Sequence, residues 1–281
     1  MIAGTSFVWD GAALQPDGVI SALDRGVLFG DGIYETIRGY NGVLFQLEAH
    51  LDRMAQGLRV LQMPVEPTIA QVREALAQLE PLDQGQDLRL RVTVTRGVGG
   101  QPWELYQTTG PSIALQCRVL PRLCDILPKV GCSATISDVR RNETSPLSRI
   151  KSLNCLDNLL ARSQAQAAGF DDVLFLNTAD RVVEASTSNL FIVAGKAIFT
   201  PPVEEGLLPG ITREVVMELA HVTQRPLIAE DLFQADEIFL TNSITEIVPL
   251  TNLDGNPIGT GDPGPVTASL YAAYRKMTQG T

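Results

Sequence analysis

Leu88, Leu90, Val92 and Val94 alternate with polar residues, and that period of two predicts a strand over residues 88–95. Ser112 to Val119 reads the same way. Earlier, Ser6–Trp9 and Ala13–Leu14 form a short hairpin pattern around Asp10-Gly11. Gly32–Tyr40 and Gly42–Gln46 flank Asn41-Gly42, a strong turn signal. Leu47, Leu51, Met54, Leu58 and Leu61 share one helical face, which predicts a helix over 48–61. A second helix is expected over Thr68–Glu80, capped by Thr68 and stopped at Pro81. From Pro121 to Pro128 the helical period is lost.

Strands resume over Val130–Ile136, and Asn154–Ala168 is a helix ended by Gly169. Short strands are expected at Val173–Asn177, Val182–Glu184, Asn189–Val193 and Ala197–Thr200. A helix over Thr212–Ala220 follows Pro209-Gly210. Strands at Glu237–Thr241 and Ile247–Leu250, a turn at Asp254-Gly255 and a helix over Pro265–Met277 complete the pattern. The fold class is α+β in two domains: a small N-terminal domain over 1–120, a connector at 121–128, and a larger domain over 129–281.

A chain of 281 residues has room for two cores. Hydrophobic residues at 44% and charged residues at 19% fit a globular protein. The net charge of -10 argues against a nucleic-acid-binding surface but allows a local basic pocket. No apolar run reaches the roughly 20 residues needed to span a bilayer. The first residues lack the basic start and apolar stretch of a signal peptide. The cysteines at 117, 124, 132 and 155 make no CxxC pair, so neither a metal site nor a disulfide framework is expected. A cytoplasmic protein is the expectation.

Lysine is scarce, with only Lys129, Lys151, Lys196 and Lys276 against 18 arginines. Lys151 lies in Leu147-Ser148-Arg149-Ile150-Lys151-Ser152-Leu153-Asn154, just before a helix. An apolar setting would lower its amine pKa and favour attack on a carbonyl. A solvated lysine at a helix entrance fits the spacing as well. Leu208-Pro209-Gly210-Ile211-Thr212-Arg213 is a glycine turn opening a helix, whose N–H groups can take an anion or simply be capped by Thr212. Thr241-Asn242-Ser243-Ile244-Thr245-Glu246 is a polar turn after an apolar strand, either a second donor cluster or a plain strand end. Glu184, between apolar strands and small hydroxyl residues, is a carboxylate that needs a partner if buried.

Taken together, His50-Leu51-Asp52-Arg53, Ile150 to Asn154, Glu184 to Phe191, Leu208 to Arg213 and Thr241 to Pro249 resemble successive blocks of the class IV (fold type IV) aminotransferases. That group includes branched-chain aminotransferases, D-amino acid aminotransferases and 4-amino-4-deoxychorismate lyases. The resemblance implies pyridoxal 5'-phosphate, with Lys151 as the Schiff-base lysine. Glu184 would pair with the pyridine nitrogen. Arg53, Ile211, Thr212 and Ser243 would hold the phosphate, Thr187 would lie near the ring face and Leu208 would pack on the ring. Tyr34 and Glu35 match the pocket strand of the small domain. The resemblance also implies a homodimer, and as activity a transaminase acting on amino acid and 2-oxo acid substrates, the amino acid being a branched-chain L- or a D-amino acid.

The subgroup signals are mixed. The loop Val98-Gly99-Gly100-Gln101-Pro102-Trp103 lacks the Arg-x-His pair of D-amino acid enzymes, and Gln101 replaces the arginine common in the lyases. Leu156 stands where branched-chain enzymes usually carry tyrosine, yet Leu208 to Arg213 and Gly264-Pro265-Val266-Thr267 look like that group. Arg140-Arg141-Asn142 looks lyase-like, and release of pyruvate and 4-aminobenzoate is the alternative activity. Arg38, Arg91 and Arg96 are the candidates for binding a substrate carboxylate. Arg89 and Arg91 share one strand face, opposite the leucines, and a solvated sheet face is the plainer reading of these arginines.

Overall fold

The computed structural model describes residues 6–79, 87–120 and 123–279. These fall into two compact units. The first comprises residues up to Leu120 together with Ile150–Asn154, and the second comprises Pro121–Arg149 and Cys155–Gly280. Residues 150–154, expected in the larger domain, thus join the first unit.

The first unit contains β1 (Ser6–Trp9), β2 (Leu14–Pro16), α1 (Arg25–Phe29), β3 (Gly32–Tyr40), β4 (Val43–Leu44), α2 (Leu47–Val60), α3 (Glu66–Ala77), β5 (Leu88–Thr95) and β6 (Ser112–Val119). Its six strands form one antiparallel sheet in the order β2-β1-β6-β5-β3-β4. The alternation seen along β5 works as expected: Leu88, Leu90, Val92 and Val94 are buried. Leu90, Val92 and Val94 pack with Ile33, Ile37, Ile113 and Leu115 of neighbouring strands, under Leu51, Met54 and Leu58 of α2, whereas Leu88 packs with Cys117 and Leu44. The opposite sheet face carries Tyr34, Thr36, Arg89, Arg91 and Arg118. Helix α3 begins two residues before Thr68 because Pro67 fits the first turn, where its missing N–H costs nothing. Thr68 therefore sits inside the helix and its hydroxyl donates to the Pro64 carbonyl. The stop expected at Pro81 lies outside the described residues.

The second unit begins with α4 (Leu123–Val130), which replaces the connector expected at 121–128. Pro128 lies within this short helix. Residues 121 and 122 lie outside the described residues. Then follow β7 (Cys132–Arg141), a 3-10 turn at Pro146–Arg149, α5 (Leu156–Ala167), β8 (Asp172–Asn177), β9 (Val182–Ala185), β10 (Asn189–Ala194) and β11 (Ala197–Thr200). A second 3-10 turn at Val203–Glu205 leads to α6 (Ile211–Leu219), β12 (Val222–Gln224), α7 (Ala229–Phe233), β13 (Glu237–Asn242), β14 (Glu246–Leu253), β15 (Asn256–Pro257) and α8 (Pro265–Gln279). The sheet order is β12-β11-β10-β13-β14-β7-β8-β9, with β15 on β14. Parallel pairs at β11–β12, β14–β7 and β7–β8 mix with antiparallel ones. Leu174, Leu190, Ile192, Ile238, Leu240 and Leu250 are at the centre of its core.

Candidate active site

In the first unit, residues 150–154 run alongside β3. Ile33 and Ser152 form an antiparallel bridge. The Lys151 carbonyl accepts from the Tyr34 N–H at 2.9 Å, and the Gly32 carbonyl accepts from the Leu153 N–H at 3.0 Å. Asn154, expected to open the helix, instead donates its Nδ2 to the Gly30 carbonyl at 2.9 Å. The backbone of Lys151 is therefore fixed to the strand that carries Tyr34. Its Nζ lies 4.7 Å from the Tyr34 ring centroid, and the Arg91 guanidinium carbon lies 3.7 Å from that same centroid. An aromatic face attracts cations, so the ring gathers both.

Strand alternation turns Glu35 to the face opposite Tyr34. There it accepts from Arg53 through Nε at 2.8 Å and Nη2 at 2.6 Å, and pairs with His50 Nδ1 at 2.8 Å. His50 and Arg53 are three residues apart on α2 and so share a face. Burial pulls the Glu35 carboxyl pKa up, but Arg53 and His50 outweigh it and hold it down at about 2. Burial is the main reason that the His50 imidazole lies below its ordinary value, against the pull of Glu35, and the Arg53 and Lys151 cations add to the lowering.

Two of the three arginines expected to meet a substrate carboxylate are engaged elsewhere. Arg96 donates to Asp31 through Nε at 2.7 Å and Nη2 at 3.0 Å, and to the Gln62 and Leu61 carbonyls. Arg38 is buried, pairs with Asp87 and lies 4.8 Å from the Tyr40 ring centroid. Both sites follow from the need to compensate a buried guanidinium. Arg91 alone of the three lies against Tyr34.

In the second unit, β9 buries Glu184. Its Oε1 accepts from Arg141 Nη2 at 3.0 Å. Its Oε2 accepts from Asn189 Nδ2 and from the Leu208 N–H, each at 3.1 Å. Leu208 thus meets Glu184 through its backbone. Arg141 is held in turn by Asn158 Oδ1 at 3.1 Å, and Asn158 Nδ2 donates to the Ser186 carbonyl at 2.7 Å. Thr187 is exposed beyond β9, and its hydroxyl accepts from Arg162 at 3.4 Å.

Gly210 precedes α6, with Ile211 and Thr212 in the first turn. The start of this helix offers N–H groups to an anion. Ser243 lies in the turn after β13, which Asn242 orders by accepting from the N–H groups of Ile244 and Thr245, each at 2.8 Å. Asn189 links the two places. It pairs with Thr241 across the strands, and a Cβ on Gly210 would lie 1.9 Å from its Oδ1. We expect Gly210→Ala to displace Asn189 from Glu184 and weaken capture of pyridoxal phosphate by at least tenfold, measured by titrating the apoprotein. An unchanged dissociation constant would show that Asn189 relaxes without cost.

The sequence did not expose Arg141, Asn158, Asn189 or the Glu35–His50 pair as working partners. The three-residue spacing of His50 and Arg53 was the one usable signal, since it puts two cationic groups on one helix face.

These residues fit a phosphorylated pyridine aldehyde. The second unit has open helix N–H groups, a glycine with no room for a side chain, and a buried carboxylate held from both oxygens. Thr241 Oγ1 and Arg141 Nε are buried there without a hydrogen-bond partner among the described residues. The fold and these donors define a pyridoxal-phosphate enzyme of fold type IV. The profile of the amino-transferase class IV family matches residues 32–253. A putative branched-chain-amino-acid aminotransferase of Methanocaldococcus jannaschii is 35% identical over 94% of this chain and 92% of its own length. D-alanine aminotransferase of Bacillus licheniformis is 32% identical over 90% and 89%. The PLP-bound form of a hypothetical aminotransferase from Mycobacterium tuberculosis superposes with a TM-score of 0.83 at 26% identity, covering 96% of this chain and 98% of that one. The chain belongs to the class IV aminotransferases. It is an enzyme, and its cofactor is pyridoxal phosphate.

Proposed function

We propose that this enzyme passes an amino group between an amino acid and a 2-oxo acid, with Lys151 as the Schiff-base lysine. The observation that carries the reading is the amine of Lys151, fixed by backbone bonds to β3 and held against the Tyr34 ring. Bound pyridoxal phosphate supplies the electron sink for the carbanion at the substrate α-carbon. Lys151 Nζ takes the proton from that carbon and returns it. Glu184 presents a carboxylate to the pyridine nitrogen and keeps a proton there. Arg53, the N–H groups of Ile211 and Thr212, and the Ser243 hydroxyl hold the phosphate, with Glu35 fixing the plane of the Arg53 fork. Thr187 and Leu208 flank the ring, while Tyr34 and Arg91 face the substrate. Borohydride reduction of the holoprotein followed by peptide mapping tests the assignment. The label belongs on Lys151, and a label on another lysine would overturn it.

The relatives are named for transamination, which supports that reaction over lysis. Their names put forward branched-chain amino acids and D-alanine as donors, and a half-reaction screen with D- and L-amino acids, read from the cofactor spectrum, distinguishes them. Among the described residues no helix is long and apolar enough to cross a membrane. A cytoplasmic homodimer is part of the proposal. Leu156, Leu159 and Leu160 form an exposed apolar stripe on α5, a surface that a second copy would cover. Leu159→Arg with Leu160→Arg is expected to shift the dimer towards monomer in light scattering. A mass unchanged from wild type would place the contact elsewhere.

A further inference from the structure

Seven non-glycine residues among those described have a left-handed backbone, and Glu246 is the one of them that is buried. Its φ is 63° and its relative exposure is 0%. A Cβ strains that conformation, so tight turns usually give such a position to glycine. Asn41, Asp180 and Asp254 share the conformation at exposed turns, where a side chain can reach water. A carboxylate enclosed at a strained position points to a task for its side chain.

The partner of Glu246 lies on the last helix. Its Oε1 accepts from Arg275 Nη1 at 2.8 Å. Helix α8 is also held at its start, where Glu237 accepts from the Val266 N–H at 2.9 Å and from the Thr267 N–H at 2.8 Å. Glu237 opens β13 and Glu246 opens β14, so the two carboxylates stand at opposite ends of one hairpin. Helix α8 is thus a brace clasped at both ends of that hairpin. At the Glu246 end it meets the turn that contains Ser243: Asn242 and Glu246 are partners across this turn, with residues 243–245 between them. Asn242 fixes the Ile244 and Thr245 N–H groups from inside the turn. Glu246 and Arg275 link the same turn to α8.

We propose that Glu246 and Arg275 are positioning residues for the cofactor phosphate, tying the Ser243 turn to α8 so that the Ser243 hydroxyl stands where the phosphate arrives. The inference rests on the reading above that gives Ser243 to the phosphate. A hydrogen bond weakens steeply with small displacements of its donor, so a turn released from α8 loses the phosphate while contacts to the ring persist.

The full-length apoprotein is titrated with pyridoxal phosphate and with pyridoxal, which lacks the phosphate. The ratio of the two dissociation constants reads phosphate recognition. Glu246→Gly suits the left-handed backbone but has no grip on Arg275. It should lower the preference for the phosphorylated aldehyde by about tenfold, the worth of one charged hydrogen bond, and leave pyridoxal binding as in wild type. Glu246→Gln keeps an acceptor for Arg275 and should restore most of the preference. Arg275→Ala, at a side chain partly open to water, should also lower it and keeps the test open if Glu246→Gly fails to fold. A wild-type preference in both Glu246→Gly and Arg275→Ala would overturn the tether, because the turn then holds its own position. An equal loss for both aldehydes would overturn it too, because the pair then supports only the fold. Ser243→Ala checks the underlying reading separately. A wild-type preference there would take the phosphate away from Ser243. A lowered preference in Ser243→Ala, beside wild-type values in the other two, would keep that reading and overturn the tether alone.

Discussion

Lys151→Ala is expected to be colourless where the wild-type holoprotein is yellow, and to lose at least about a thousandfold in turnover. The proposed role gives one side chain two tasks, anchoring the cofactor's aldehyde and moving the α-proton. Lys129, Lys196 and Lys276 are exposed on the other unit. The fold should survive, because Lys151 contributes to β3 through its carbonyl, which alanine also has. Circular dichroism and thermal melting of the apoproteins check this. Partial rescue by an added small amine would separate lost chemistry from lost structure. A Lys151→Ala protein with wild-type colour and rate would mean that the nucleophile lies elsewhere.

Glu35→Ala should be the most damaging substitution for stability. It removes the carboxylate that the buried Arg53 and His50 share, and breaking a buried ion pair by deleting one partner costs about 3–5 kcal/mol. Set against a typical total of about 5–15 kcal/mol, that loss brings the first unit close to unfolding. Glu35→Gln should cost less, because an amide oxygen still accepts from Arg53. The same group predicts the acid behaviour. Its folded pKa of about 2 lies below the ordinary 4.5, so its contribution is full above pH 4.5. That contribution, about 3 kcal/mol, disappears as the pH falls from there towards 2. Denaturant midpoints at pH 6 and pH 3 should therefore fall more for wild type than for Glu35→Gln. Equal falls would show that Glu35 is not responsible.

The fold was legible wherever one residue face met one core. The alternation of β5 and the apolar stripe of α2 placed both elements to within a residue or two. Element bounds differ from expectation at two places. Pro128 suggested a connector but sits in α4, and Pro67 lies in the first turn of α3, where proline is tolerated, so that helix starts before Thr68. The site was legible only as blocks. Lys151 and Glu184 stood out through the order of several motifs. Their working neighbours did not, because Arg141 meets Glu184 from 43 residues away and Arg53 meets Glu35 from 18. Such pairs exist only once the strands are in register. The same limit made Arg38, Arg91 and Arg96 look alike until the partners of each were visible.

The five residues around Lys151 are separated in the chain from the sheet they join. A fragment starting at residue 121 would contain Lys151 but not its support, and an isolated 1–120 fragment would contain the support but not Lys151. Exchanging halves between homologues would thus transfer the lysine and its scaffold from different parents, and register between Ser152 and Ile33 becomes the fit that a chimera must preserve.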